Sequence, residues 1–424
     1  MKNLYEQGEA LLRLAEREAN YVQVHISAPL QQKLELLSNK TDSFTSTEHV
    51  SYAVLVYVNG RSGTSVSNTF SPAVVERAIA LAKASSPSEY FYGLPLKQQL
   101  HKLQIFDKRI TALTEDGLID IADEMIVGIA DETVTLSAGS VTKQVSQDII
   151  FTSEGIQQVE QSTALAIVAE CIARKNGMIK SAWDYRQERQ LSPLTPFTSA
   201  LQEKATFFLD SKQLKEKMGI VIVKPEPFAD LLEHAFLPNL NGKNNEKGKS
   251  CLTGKTDTQV ISQKISIYDD ALLPFGISSR ACDLEGSPSQ RTPLFSRGVL
   301  KNFIYDYNTA LHTGKASTGN GGFSSIDFTN VVVEGEYQEV DKALVIDSVI
   351  GAHTADEVAT DFSVTVERAY ILKDGEKVPV TGFMLSGKMF DALQKAISLG
   401  KERKSYNGIY TGALATTGVN IILS

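Results

Sequence analysis

From residue 50 the chain repeats with a period of two. Val50, Tyr52, Val54, Val56 and Val58 alternate with their neighbours, Asn59-Gly60 turns, and residues 62–70 return. Side chains along a strand point to opposite faces in turn, and Asn-Gly supplies the positive φ angles of a two-residue hairpin turn. The pattern predicts an antiparallel hairpin with a buried face, which excludes an all-helical fold. Upstream, Leu4, Leu11, Leu12 and Ala15 recur at helical spacing over 3–18, and Val22, Val24 and Ile26 alternate with Tyr21, Gln23 and His25 as a half-buried strand. Downstream, Ser71-Pro72 opens a helix whose apolar face is Val75, Ala78, Ile79 and Ala82, and another helix fits 115–129.

Over 132–185 short β-type runs (133–138, 145–151, 156–161, 164–172) are separated by Gly, Ser and Asn, the signature of an antiparallel meander. Ser192-Pro193-Leu194-Thr195-Pro196 interrupts this pattern and predicts a domain boundary. The expected division is an N-terminal unit at 1–192 (helices and strands over 1–130, the meander over 131–190) and a β-rich C-terminal unit at 197–424. In the second unit a helix is expected over 197–218 and a strand at 220–223. A further helix carries Phe228, Leu231, Leu232, Ala235 and Phe236 and ends at Pro238. Strands are expected at 258–267, 299–306, 329–334, 342–347, 361–372 and 418–423, with a helix over 387–399. Helices and strands come in blocks without a βαβ rhythm. The class is α+β, with a mixed or antiparallel N-terminal sheet.

Lys plus Arg number 42 and Asp plus Glu 50, a net charge of −8. Such a chain repels phosphate backbones, which argues against direct nucleic-acid binding. No apolar run approaches the ~20 residues that span a bilayer, and acidic residues occupy the start where a signal peptide needs its apolar core. Cys171, Cys251 and Cys282 are far apart and odd in number, which fits a reducing compartment. A cytoplasmic protein is the expectation.

Local motifs for chemistry are weak. Gly248-Lys249-Ser250 and Gly254-Lys255-Thr256 have the upstream glycine one residue too far for a phosphate loop. A Gly-x-Ser-x-Gly elbow is absent. None of the six histidines has another three to five residues away, so no helix or hairpin presents a chelating pair. Glu233-His234 reads as a solvated helix face, because neighbours on a helix diverge by about 100°.

Several longer segments, taken together and in order, carry more. They are residues 52–63 with the 71–85 helix and Gly93-Leu94-Pro95, then 283–292 (Asp283-Leu284-Glu285-Gly286-Ser287-Pro288-Ser289-Gln290-Arg291-Thr292). Gly298-Val299-Leu300-Lys301-Asn302-Phe303, Ser317-Thr318-Gly319-Asn320-Gly321, 371–376, Pro379-Val380 and Leu385-Ser386-Gly387-Lys388 follow. This succession resembles the TldD/PmbA family over almost the whole chain. The resemblance implies a zinc peptidase context, in which catalytic subunits carry His-Glu-x-x-x-His on a helix and a late cysteine. Two imidazoles and a thiolate hold zinc there, and the glutamate serves as base. Aligned through Leu240-Asn241-Gly242 and Gly248-Lys249-Ser250, those positions fall on Glu233, His234, Pro238 and Tyr410. None keeps the catalytic residue, and sliding by one restores only a single histidine.

By that resemblance the chain is similar to the PmbA (TldE) type, the subunit without metal. The expectation is no catalytic residue, no metal and no cofactor in this chain, with zinc in a TldD-like partner subunit of a heterodimer that encloses unfolded peptides. The alternative is a stand-alone homodimeric peptide-binding or adaptor protein of the same fold. Arg291 and the loop Ser317, Thr318, Gly319 and Asn320 are candidates for the peptide or partner surface. Arg291 reads equally well as bracing a turn against Asp283 or Glu285.

Overall fold

The computed structural model describes residues 2–323 and 325–423. Seven strands form the first sheet: β1 (Tyr21–Leu37), β2 (Lys40–Glu48), β3 (Ser51–Val58), β4 (Arg61–Ser67), β5 (Val134–Thr152), β6 (Gln157–Lys175) and β7 (Met178–Glu188). Their order is β4-β3-β1-β5-β6-β7, with β2 also on β1, and every pairing is antiparallel. The hairpin β3–β4 turns at Asn59 (φ 50°) and Gly60 (φ 74°), as the Asn-Gly pair requires. The meander is antiparallel, but its short runs fuse into β5 and β6 of 19 residues each. Polar positions such as Ser140 and Gln144 stay in register across these strands because cross-strand pairing satisfies their backbone whatever their side chains prefer.

Helices α1 (Lys2–Ala15) and α2 (Ala73–Ala84) cover one end of this sheet, packing Leu11, Ala15, Val75 and Ala78 on Val24, Ile26, Val54 and Phe151. Gly63 lets α2 lie directly on β4, since a Cβ there would stand 2.2 Å from the Ala78 carbonyl oxygen. The short α3 (Lys108–Ala112), α4 (Glu115–Ile129) and α5 (Thr195–Phe207) cover the other end through Leu118, Met125, Ile129 and Leu201. Helix α5 follows the proline break, yet its buried face joins the first sheet's core. It stops at Phe207 rather than 218, because Lys212–Gln213 pairs in parallel with Glu376–Thr381.

The second half is two mixed sheets on one large core around Phe228, Phe236 and Phe295. A six-stranded sheet runs from Val299–Leu300 through Arg291–Ser296, Ile265–Asp270, Val331–Gly335 and Ile409–Thr411 to Lys404–Tyr406. A nine-stranded sheet is built around Val221–Val223, Lys342–Ile350 and Asp361–Lys373. Helix α6 (Pro225–Ala235) packs between them, and the chain continues past Pro238 as a single tight turn, Leu237–Leu240. The expected helix at 387–399 is instead the end of Phe383–Lys388, a short helix Met389–Gln394 and the strand Ala396–Leu399. The helical spacing of Met389, Ala392 and Leu393 is real, but Ala396 and Leu399 are captured by pairing with Leu414–Thr416. Strand 258–267 shifts to Ile265–Asp270, and 299–306 shrinks to Val299–Leu300. No described helix is long and apolar enough to cross a membrane.

Candidate functional site

Strand β7 is one edge of the first sheet, and Lys404–Tyr406 is one edge of the six-stranded sheet. The two edges face one another across a cleft of about 580 Å³ lined by Tyr185, Arg186, Phe197, Phe275, Tyr406 and Tyr410. Asn407 (φ 49°) and Gly408 (φ 79°) form the tight turn between Lys404–Tyr406 and Ile409–Thr411. The Tyr185 hydroxyl closes one end, donating to Asn407 Oδ1 at 2.7 Å and accepting from Asn407 N at 3.0 Å. Burial pushes the Tyr185 phenol up to about 12, so it stays a donor throughout the physiological range.

The backbone of β7 shows where this edge is open. Along an antiparallel strand, alternate residues direct both N–H and C=O to the same side. Ser181 and Trp183 face away from β6, because their carbonyls accept from Arg368 Nη1 (3.2 Å) and Lys204 Nζ (3.2 Å). Tyr185 and Gln187 therefore face the cleft. Tyr185 N–H donates to Asp184 Oδ1 at 2.8 Å. No described group meets the Tyr185 carbonyl or the Gln187 backbone, so a short unpaired stretch of strand edge looks into the cleft.

Beyond Trp183 the cleft runs into a smaller pocket of about 240 Å³, which shares Asp184, Ala200, Lys404 and Tyr406 with it. At its base Asp347 is nearly fully buried and meets Lys224 Nζ at 2.5 Å, Arg368 Nε at 3.5 Å and Lys204 Nζ at 4.0 Å. Burial alone would raise its pKa, but Lys224 and Lys204 hold it below the usual carboxylate range. Glu226, 3.2 Å from Lys204, moves the other way, because burial outweighs the lysine. These charged residues were missed by sequence reasoning. The available signal was Asp347 itself, which interrupts the continuously buried run 343–348 of Lys342–Ile350. An acid in such a strand needs cations around it.

On the other side of Tyr185 the expected metal positions come into view. Glu233 and Pro238 border a second cleft of about 480 Å³ with Asn241, Asn244, Asp327 and Asn407. Glu233 Oε2 accepts from Asn407 Nδ2 at 3.3 Å. His234 turns away, with Nε2 3.4 Å from Asp230 Oδ1. Tyr410 lies in the first cleft, and its hydroxyl accepts from Ile277 N at 3.0 Å. The fold brings Glu233 and Pro238 together and leaves His234 and Tyr410 pointing elsewhere. Pro238 offers no side-chain donor and Tyr410 is engaged, so this set does not fit a zinc ion. Among the described residues no group of three or more His, Cys, Asp or Glu could hold a metal.

The other sequence candidates are differently placed. Arg291 lies on Tyr268 (4.1 Å to the ring centre) and pairs with Asp270 Oδ2 (3.5 Å) and Glu334 Oε1 (3.3 Å), not with Asp283 or Glu285. The 317–321 loop is no free surface, because Thr318 and Asn320 are buried. Asn320 Nδ2 donates to Asp269 Oδ2 and to the Asp327 carbonyl, both at 2.8 Å, and Thr318 Oγ1 donates to Asn320 Oδ1 at 2.6 Å. Gly321 N–H donates to Asp283 Oδ2 at 2.8 Å, and Ser317 stays partly accessible at the loop's outer end. A run of small polar residues looks like a surface turn in sequence, and here it is the hydrogen-bonding plug of a buried carboxylate layer.

The fold and this cleft thus define an α+β protein that offers unpaired strand edges to a cleft beside a helix at which the described residues present no metal-binding donor set. Residues 216–423 match the family model described as the PmbA/TldA metallopeptidase C-terminal domain, so the second half of the chain carries a PmbA/TldD-type domain. It is 27% identical over 399 residues to an uncharacterised protein of Methanocaldococcus jannaschii, covering 92% of this chain and 94% of that one. It is 22% identical to the metalloprotease PmbA of Escherichia coli O157:H7, covering 97% and 94%. In fold it is similar to the crystal structure of TldE from Thermococcus kodakarensis, with a TM-score of 0.90, 22% identity, and 98% and 100% of the two chains covered.

Proposed function

We propose that this chain is a non-catalytic, peptide-holding subunit of a TldD-type zinc metallopeptidase, with the zinc carried by a partner chain. The observation that carries this reading is the seam. Two free strand edges face a cleft with an aromatic lining, next to the helix Pro225–Ala235 and the turn after it, where the family resemblance puts Glu233 and Pro238 at its two histidine-ligand positions and His234 at its glutamate-base position. An unpaired edge binds an extended chain through its backbone, which suits unfolded peptides of many sequences. The reading includes no nucleic acid, in keeping with the net charge of −8. A cytoplasmic setting is supported by the free cysteines Cys171, Cys251 and Cys282.

The test is hydrolysis of an unstructured peptide by the chain alone, by a TldD-type chain from the same genome, and by the two together, with metal content and native mass measured for each. The expected result is a heterodimer with one zinc, no hydrolysis by this chain alone, and more hydrolysis by the pair than by the TldD-type chain alone. A zinc-free homodimer that ignores the TldD-type chain would favour the stand-alone peptide-binding protein. Chelator-sensitive hydrolysis by this chain alone would overturn both.

A further inference from the structure

We propose that the seam holds its peptide in one direction and recognises the free C-terminal carboxylate in the lysine-lined pocket at the end of β7. This rests on the reading of the seam as a peptide site and adds the polarity and the terminus. The open edge is short. Among the described residues the Tyr185 carbonyl and the Gln187 backbone face the cleft unpaired, while Lys204 caps the Trp183 carbonyl and Arg368 the Ser181 carbonyl. A strand adding there meets Lys204 after a few residues and must end or turn. β7 runs from Met178 to Glu188. A strand added antiparallel to it runs from the Glu188 end toward Trp183, so its C-terminus arrives at the pocket.

The pocket's charges suit that end. Lys204, Lys224, Lys377 and Lys404 line it with Asp184, Glu203, Glu226 and Asp347, and Arg368 stands behind Asp347. Asp347 is engaged by Lys224 and Arg368, and Glu226 by Lys204. Asp184 accepts from the Tyr185 N–H and, with Glu203, keeps its charge on the rim, so lysines and carboxylates balance in the lining and Arg368 behind Asp347 adds one positive charge. Two mouth lysines are uncommitted. Lys377 lies over the Tyr370 ring at 5.7 Å with no ion pair among the described residues, and Lys404 has only Glu402 at 4.0 Å. An arriving ammonium would meet these lysines unfavourably, whereas a carboxylate gains charge-assisted hydrogen bonds.

Trp183, the chain's one tryptophan, stacks on Tyr185 and reports on the seam by fluorescence. The probes are an N-acetylated alanine–valine hexapeptide with a free C-terminal carboxylate, the same peptide as its C-terminal amide, and sodium acetate. Each is titrated into the full chain by calorimetry and fluorescence, and again into the Lys377→Gln/Lys404→Gln double variant. The acid is expected to bind about tenfold or more tighter than the amide, as one hydrogen bond to a charged group supplies. The double variant should erase the difference between acid and amide. Equal binding of acid and amide would overturn the terminus assignment and leave the peptide seam standing. Acetate binding as tightly as the acid peptide would overturn it in favour of a small-anion pocket. Failure of both peptides to bind would overturn the assignment together with the seam.

Discussion

Tyr185 and Asn407 hold each other by two hydrogen bonds, at 2.7 and 3.0 Å, and so tie the free edge of the N-terminal sheet to a turn of the C-terminal sheet 222 positions away. The Tyr185 ring also meets Tyr406 edge-on at 5.6 Å. Tyr185→Phe keeps the ring and removes the hydroxyl, and because water can reach the exposed Asn407 it costs about 0.5–1.5 kcal/mol. Chemical denaturation measures that loss, and faster amide exchange over 404–411 locates it. An unchanged midpoint together with unchanged exchange would show that the seam is held elsewhere.

Asp347 has three cations around it and almost no water. Asp347→Ala takes the shared carboxylate from Lys224, Lys204 and Arg368, leaving Lys204 only Glu226 and Arg368 only Glu367 among the described residues, and should destabilise the protein by up to about 3 kcal/mol. The pKa of Asp347 is depressed in the fold, so its contribution is present above the unfolded carboxylate value and is lost as pH falls through the lower folded value. Asp347→Ala should therefore lose most of its deficit relative to the native chain in strongly acidic solution. A deficit constant with pH would mean that packing, not charge, is at stake.

The carboxylate layer under the 317–321 loop behaves in the opposite sense. Burial raises Asp269 to about 6 and pushes Asp283 and Glu285 up as well. These groups bind protons more readily folded than unfolded, so stability rises as pH falls from 7 through 6 toward 4. The melting temperature should increase over that window, before the loss at Asp347 reverses it. A steady decline from pH 7 to 5 would contradict the burial of this layer.

Asn320 and Arg291 separate structure from surface. Asn320→Ala strips Asp269 and the Asp327 carbonyl of a donor and Thr318 of an acceptor, and should cost about 2–4 kcal/mol. Arg291→Ala removes half-exposed ion pairs and should cost no more than about 1 kcal/mol. Comparable losses from the two, read by urea midpoints, would refute this division.

His234→Ala and Tyr410→Phe should leave metal content at the level of the unsubstituted chain. His234 turns to Asp230, and the Tyr410 hydroxyl serves the Ile277 amide. Elemental analysis of the purified chains decides it. A change in bound zinc in either variant would mean that the alignment of this helix is wrong.

Local periodicity alone carried the hairpin at Asn59-Gly60, the helix at 115–129 and the antiparallel meander, because each rests on contacts between near neighbours along the chain. Periodicity failed where distant pairing competes with it. Residues 387–399 have helical spacing, but Ala396 and Leu399 gain more as a strand on Leu414–Thr416. The ordered segments of 283–321 and 371–388 carried the resemblance to the family, and that resemblance puts Glu233, Pro238 and Tyr410 where its metal ligands would stand. Those are statements about which side chains exist, and a sequence determines them completely. The seam is of another kind. That β7 ends its sheet, that Lys404–Tyr406 ends another, and that Lys204, Lys224 and Asp347 meet between them depend on which strands find partners over separations of more than a hundred residues. No local pattern encodes an edge, because an edge is the strand that nothing else in the fold has paired, and only the completed tertiary structure decides which one that is.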